Sequence, residues 1–387
     1  MFGENTKNFW ILSCAMFLFM TSFNLILPEL NTFITELGGG NQKGLIITLF
    51  TISAAISRPF SGKLSDTIGR KKVMIIGIIV CFVVSLLYPL SFSIWFFLIL
   101  RFLHGFSAGF LPTGATALVT DILPKEARGR GMGIWGTFIS LGIGVGQSLG
   151  DWLFRLFGMN NLFIFAAIIS LIAALLIAYV KETLEKQQKF KLHHLSITVQ
   201  DVFEPSVLPA AFVMFLTASC SGIIFVLTPD ISDYLGINNK GWFFGIYVIS
   251  TIVIRLFTSS LSDKIGRRKT MLIGVMLLIV SMFLIGTAHN LTAYTTAAVL
   301  FGVATGITSP TLFAWTADLS HKDRRGVGSG TMFIALELGI MLGSISTIFT
   351  YNNHFETIYI GFSFGILMAV LAAAYLIWHL SKRKSLT

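Results

Sequence analysis

The sequence predicts an all-α membrane protein of twelve transmembrane helices in two pseudo-symmetric six-helix bundles. Three observations carry that class: apolar runs of spanning length, basic residues concentrated in alternate loops, and a repeat of about half the chain. Hydrophobic residues make up 54% of the 387 residues and charged residues only 12%, against about 25% charged in a soluble domain. Mean hydropathy is +0.80. Water is not the main solvent of this chain.

About 20 largely apolar residues cross the hydrocarbon core as a helix. Such runs fall at about 9–27, 44–62, 73–90, 94–119, 132–152 and 161–180 in the first half. The second half gives about 207–228, 241–260, 270–287, 292–317, 326–350 and 357–380. The first run is long and lacks a small-x-small cleavage pattern, so it reads as a membrane helix rather than a signal peptide. The expected domains are an N-terminal bundle (1–180), a linker (181–206) and a C-terminal bundle (207–387).

Lys and Arg number 28 against 18 Asp and Glu, and their placement explains the excess. One set of loops and tails collects Lys7, Lys63, Arg70, Lys71, Lys72, Lys125, Arg128, Arg130, Lys264, Arg267, Arg268, Lys269, Lys322, Arg324, Arg325, Lys382, Arg383 and Lys384, together with the linker lysines. The other set holds Lys43, Arg155 and Lys240. The positive-inside rule puts both termini in the cytoplasm, and the basic charge reports topology rather than a nucleic-acid partner. Short loops and tails point to a bacterial inner membrane. Cys14, Cys81 and Cys220 lie in apolar runs without metal-ligand spacing and read as small core residues. The linker, with its run Lys-Glu-Thr-Leu-Glu-Lys-Gln-Gln-Lys, reads as a solvated tether on the cytoplasmic surface, Leu195 to Phe203 being its candidate interfacial helix.

An offset of 197 maps Arg58 on Arg255, Leu64-Ser65-Asp66 on Leu261-Ser262-Asp263 and Gly69-Arg70 on Gly266-Arg267. It runs on through Asp121 and Asp318, Lys125 and Lys322, and Gly142 and Gly146 onto Gly339 and Gly343. The stretch Gly62 to Lys72 satisfies every position of Gly-x-Leu-x-Asp-x-x-Gly-Arg-basic-basic, and the second copy departs only at Ser259. This pattern, inside a duplicated twelve-helix frame, resembles the major facilitator superfamily signature between helices 2 and 3, and most closely the drug/proton antiporter-like members with twelve helices.

The resemblance implies a cytoplasmic gate of Asp66, Arg70 and Asp121 in one half and Asp263, Arg267 and Asp318 in the other. Asp66 is expected to face the start of helix 11 near Gly326 to Gly330, where a carboxylate is favoured by the partial positive charge of a helix N-terminus. Lys63, Lys71 and Lys72 read as turn anchors and topology signals, and Arg58 and Arg255 as structural residues snorkelling to the interface. Arg101, followed by Gly105, resembles the family's Arg-x-x-x-Gly motif of helix 4, which is associated with proton coupling; a structural salt bridge is the alternative. Glu337 falls near the midplane of the eleventh segment, where a carboxyl group is costly to keep charged and can carry a proton. A hydrogen-bonded structural glutamate is the competing reading.

Helices 1, 4, 7 and 10 line the cavity by resemblance, with Asn24, His104, Thr113, Thr217, Ser221, Thr305, Thr308 and Trp315 as candidates. The family's exporter motif in helix 5 is matched at Gly133, Gly142, Gly146 and Gly150, but Gln147 replaces its proline and Asp151 its last glycine. The expected function is secondary transport of a small molecule by alternating access, as proton-coupled efflux. Proton symport and uncoupled facilitation are the alternatives within transport. A receptor or enzyme is the alternative from another class, and no H-E-x-x-H, G-x-S-x-G or GxxxxGK[ST] motif supports an enzyme or an ATP-driven pump. The expected partners are the substrate and the lipid bilayer, acting on a monomer; no cofactor or metal is expected, the driving force being a proton gradient.

Overall fold

The computed structural model describes residues 6–39, 43–237, 241–258, 260–351 and 354–384. Lys240 and Ser259 lie outside the described residues, as do the side chains of Lys43, Asp151, Lys382, Arg383 and Lys384. Helices and turns form the described chain, and no strand occurs among those residues.

The first four long helices are α1 (Thr6–Ile26), α2 (Lys43–Thr67), α3 (Arg70–Leu87) and α4 (Ile94–Ile122). Arg128–Tyr179 is a continuous stretch of 52 residues, but Gly158 at φ 77° divides it into α5 (128–157) and α6 (159–179). The second half supplies α7 (Leu208–Tyr234), α8 (Trp242–Thr258), α9 (Arg267–Gly286), α10 (Leu291–Leu319), α11 (Arg325–Thr350) and α12 (Ile358–Lys384). Among the described residues, ten stretches in these helices are long and apolar enough to cross a membrane, and α8 is a shorter apolar helix. Several helices outrun the apolar segments with polar end turns, as α2 does through Ser65, Asp66 and Thr67.

Helix α3 shows how these apolar sequences divide between protein and lipid. Val73, Met74, Gly77, Ile78, Cys81, Val84 and Ser85 are buried. Ile76, Ile79, Val83 and Leu86 remain exposed in a stripe spaced by three and four residues, one face of a helix. Both faces are apolar because the exposed one meets hydrocarbon.

Contacts divide the chain into two compact units. Unit 1 is residues 1–124, 138–208 and 319–334, and unit 2 is 125–137, 209–318 and 335–387. The opening turns of α11 thus belong with unit 1, and those of α5 with unit 2. Within unit 1, α5 runs close against α1: a Cβ at Gly142 would stand 2.5 Å from the Phe17 carbonyl oxygen, and one at Gly146 2.7 Å from that of Thr21. Such close backbone approach is the use membrane helices make of small residues. In unit 2 the repeat-equivalent Gly339 and Gly343 abut the carbonyls of Phe215 and Ser219 on α7.

The linker corrects the tether expectation. Leu195 to Phe203 is not one helix: a 3-10 turn covers Leu192–Leu195 and a single helical turn Val199–Val202. The segment is held along its length to the helix ends of unit 1. Lys181 exchanges two hydrogen bonds with the Asn8 side chain, the Gln188 N–H donates to the Thr67 carbonyl at 2.9 Å, and Lys63 Nζ reaches the Ser196 carbonyl at 2.7 Å. Its buried polar groups find partners on the helices they cover, as polar groups removed from water must.

Candidate functional site

The repeated turn is built the same way in both copies. Gly69 (φ 125°) and Gly266 (φ 91°) stand just before α3 and α9, a backbone region that side-chain-bearing residues enter only at a cost. The following arginine then begins the helix, four residues after an aspartate that lies in the last turn of α2 in the first copy and in the short helix Leu261–Ile265 in the second.

In unit 1 the structure brings Asp66, Arg70 and Asp121 together. Arg70 is 2% exposed and meets Asp66 through Nη1 and Asp121 through Nε, both at 3.1 Å, while Nη1 also donates to the Ser65 carbonyl. Asp66 accepts the Gly326 N–H at 2.8 Å on Oδ1 and the Val327 N–H at 2.9 Å on Oδ2. Those amides begin α11, where unpaired N–H groups and the helix dipole favour an anion. Gly62 allows the approach, since a Cβ there would come within 3.2 Å of the Gly326 carbonyl oxygen.

Unit 2 holds the repeat-equivalent cluster. Asp263 accepts the Gly129 N–H at 3.1 Å and the Arg130 N–H at 3.2 Å at the start of α5. Arg267 donates to Asp263 and, through Nε at 2.8 Å, to Asp318. The two clusters match atom for atom in role: each aspartate caps the helix opening 197 residues on from, or before, the other's partner.

Sequence reasoning missed the arginines that complete the clusters. Arg325 Nη1 donates to Asp121 Oδ1 at 2.7 Å in unit 1, and Arg128 Nη1 to Asp318 Oδ1 at 2.8 Å in unit 2. In the sequence both read as topology signals, although they too are related by the 197 offset. The linker was missed as well. Glu182 accepts the Arg70 and Lys71 N–H groups at 3.1 and 3.0 Å, capping α3, and Thr183 Oγ1 donates to Asp121 Oδ2 at 2.6 Å. Lys63 pairs with Asp201 at 2.8 Å, and Arg324, just before α11, pairs with the buried Glu204. Lys63 is therefore more than a topology signal.

Arg58 and Arg255 do not snorkel. Arg58 is 2% exposed, donates to Thr113 Oγ1 at 2.9 Å and the Gly109 carbonyl at 3.2 Å, and lies over the Phe333 ring. Arg255 is buried in unit 2 and donates to Ser309 Oγ at 2.7 Å. Each stands eight residues before the repeated aspartate, which for Arg58 and Asp66 is about 12 Å along α2. Polar groups on the neighbouring helix accept from the terminal nitrogens of both.

Arg101 and Glu337 fall in different units. Arg101, 1% exposed, donates to the Tyr88 hydroxyl at 3.3 Å and the Ile46 carbonyl at 3.4 Å and lies 4.8 Å from the Phe50 ring centroid. Among the described residues no carboxylate pairs with it, so the structural salt bridge considered for it is not formed there. His104 is fully buried, with Tyr88 Oη at 3.0 Å from Nδ1 and Cys81 Sγ at 3.4 Å from Nε2. Both ring nitrogens are occupied within unit 1. Glu337 is buried in α11.

The remaining cavity candidates scatter in character. Asn24 accepts from Gln147 Nε2 at 3.3 Å, and Thr113 holds Arg58. Thr305 meets Thr251 Oγ1 at 3.2 Å, Thr217 returns its hydroxyl to its own helix, and Thr308 packs its methyl near Gly274. Trp315 is buried on α10, and Ser221 is half-buried on α7.

Comparison with known proteins identifies the class to which this duplicated helical chain belongs. The family model described as Major Facilitator Superfamily matches residues 12–238 and 207–386. The chain belongs to that superfamily and is a multi-pass membrane transporter, not an enzyme. It is 28% identical over 388 residues to Multidrug resistance protein 2 of Bacillus subtilis, covering 93% of each chain. It is 26% identical to the multi-drug resistance efflux pump PmrA homolog of Lactococcus lactis, covering 88% of this chain and 86% of the relative. A solved structure of the human organic anion transporter MFSD10 (TETRAN) superposes with a TM-score of 0.83 at 19% identity, covering 96% of this chain and 99% of that one.

Proposed function

We propose that this protein exports small molecules in exchange for protons. The observation that carries the reading is the reciprocal capping of α11 by Asp66 and of α5 by Asp263. A carrier needs contacts that hold one state and part in the other. Carboxylates on helix starts suit that task, being strong when dry and replaceable by water when opened. The names of the relatives and the glycine ladder of α5 favour efflux. Gln147, standing at the exporter motif's proline position, favours uptake as the second reading.

Glu337 carries the proton in this proposal. Neutralising a buried carboxyl removes a charge whose burial is costly, and so changes which conformation is preferred. Arg101, with a phenol, a carbonyl and a ring around it, supplies fixed positive charge on α4. The test is efflux from proteoliposomes under an imposed pH gradient over a panel of lipophilic substrates. Glu337→Gln is expected to abolish gradient-driven transport and Arg101→Ala to reduce it strongly; full gradient-driven transport in both variants would sink the coupling assignment.

A further inference from the structure

The linker leaves one face unused. Its inner face is consumed by the contacts to α2, α3, α4 and the start of α11, and three of its four acids are spent there: Glu182 on α3, Asp201 on Lys63 and Glu204 on Arg324. What faces outward is different in kind. Leu192 is 80% exposed and Val199 79%, with Phe190 also exposed. Lys186, Lys189 and Lys191 are exposed between and beside them, and Glu185 is the one acid left on that face. None of these lysines forms an ion pair among the described residues.

We propose that this face is an interfacial anchor, seating Phe190, Leu192 and Val199 in the headgroup layer of the adjoining leaflet with Lys186, Lys189 and Lys191 on anionic lipid phosphates. Position supports it. The linker leaves α6 just after the exposed Tyr179 and enters α7 at the exposed Leu208, and the Gln188 and Lys63 contacts keep the segment between them at the level where α2 ends. Apolar side chains held at that level bury themselves in the headgroup and acyl boundary, and lysines among them extend their ammonium groups to phosphate. The charge is complementary, since a cluster of lysines beside a membrane span is drawn to an anionic leaflet. The anchor concerns the linker alone and does not depend on what is transported.

The experiment uses the full chain with Cys14→Ser and Leu192→Cys, labelled at the linker with an environment-sensitive fluorophore; Cys81 and Cys220 are buried. It is reconstituted in phosphatidylcholine vesicles with or without phosphatidylglycerol. Expected are a blue-shifted emission, quenching by brominated lipid that is greater with phosphatidylglycerol, and protection from aqueous iodide. Replacing Lys186, Lys189 and Lys191 by Gln should remove the phosphatidylglycerol dependence. A Val199→Cys label repeats the measurement should the change at Leu192 disturb the turn. Free iodide quenching with no bromolipid quenching at both positions overturns the proposal and leaves the face to a soluble protein partner. Equal quenching in both lipids overturns its electrostatic half. A failed proton-coupling assay changes none of these readouts.

Discussion

At Asp66 one carboxylate accepts two backbone N–H groups and meets a guanidinium while almost fully buried. Hydrogen bonds to a charged group contribute about 1.5–3 kcal/mol each, and an uncompensated buried partner costs more than a lost contact. Asp66→Asn keeps the shape, removes the charge and leaves Arg70 with Asp121 alone. The expected result is a loss of about 3 kcal/mol of local stability at the start of α11, read as faster hydrogen exchange of the Gly326 and Val327 amides. Unchanged exchange there would show that the cap contributes nothing. The clustering of Asp66 and Asp263 with their arginines was legible because the motif is dense and repeated. Arg128 and Arg325 were equally repeated, yet a basic residue beside a membrane helix has a ready topological explanation, and that explanation hid their ion pairs.

The linker is the element whose behaviour follows most directly from charge. Burial pushes the Asp201 carboxyl up, but hydrogen bonds from Lys63 and from Thr198 outweigh it and hold it below the usual carboxylate range. Glu204 is likewise pushed up by burial and held down more strongly by hydrogen bonds from Ser206 and Arg324. For an acid whose folded value is depressed, the stabilisation is fully present above the unfolded value, about 4, and is lost as pH falls through the lower folded value. The linker should therefore remain fixed at neutral pH and loosen only below about pH 4. A spin label at an exposed linker position should gain mobility in that acid window, and Asp201→Asn should free it at neutral pH; a label already mobile at pH 7 would contradict the pinned structure. This element was the least legible in the sequence. Its polar composition matches that of a solvated tether, and only partners more than a hundred residues away, such as Lys63 and Arg324, make its acids structural.

For the whole molecule, a carrier and a channel differ in one measurable respect. A carrier that exposes its site to one side at a time exchanges labelled substrate for unlabelled substrate faster than it performs net flux. Counterflow in proteoliposomes should therefore show transient uptake of labelled substrate against its gradient, and its absence with flux intact would indicate a continuous pore. The twelve helices, the doubling and the repeated Asp-Arg motif were all readable from the residues, because lipid acts on each apolar segment separately and a duplication leaves its offset in the sequence. The offset by itself does not say which helix start each aspartate caps, although the family resemblance pointed Asp66 at the start of helix 11. An offset of 197 equates Asp66 with Asp263 and Gly129 with Gly326, and is satisfied equally whether an aspartate caps its own copy's helix or the other's. Folding chose the second, bringing residues 260 apart within hydrogen-bonding distance. It likewise turned Arg58 inward and bound the linker down, since side-chain partners exist only once the chain has closed on itself.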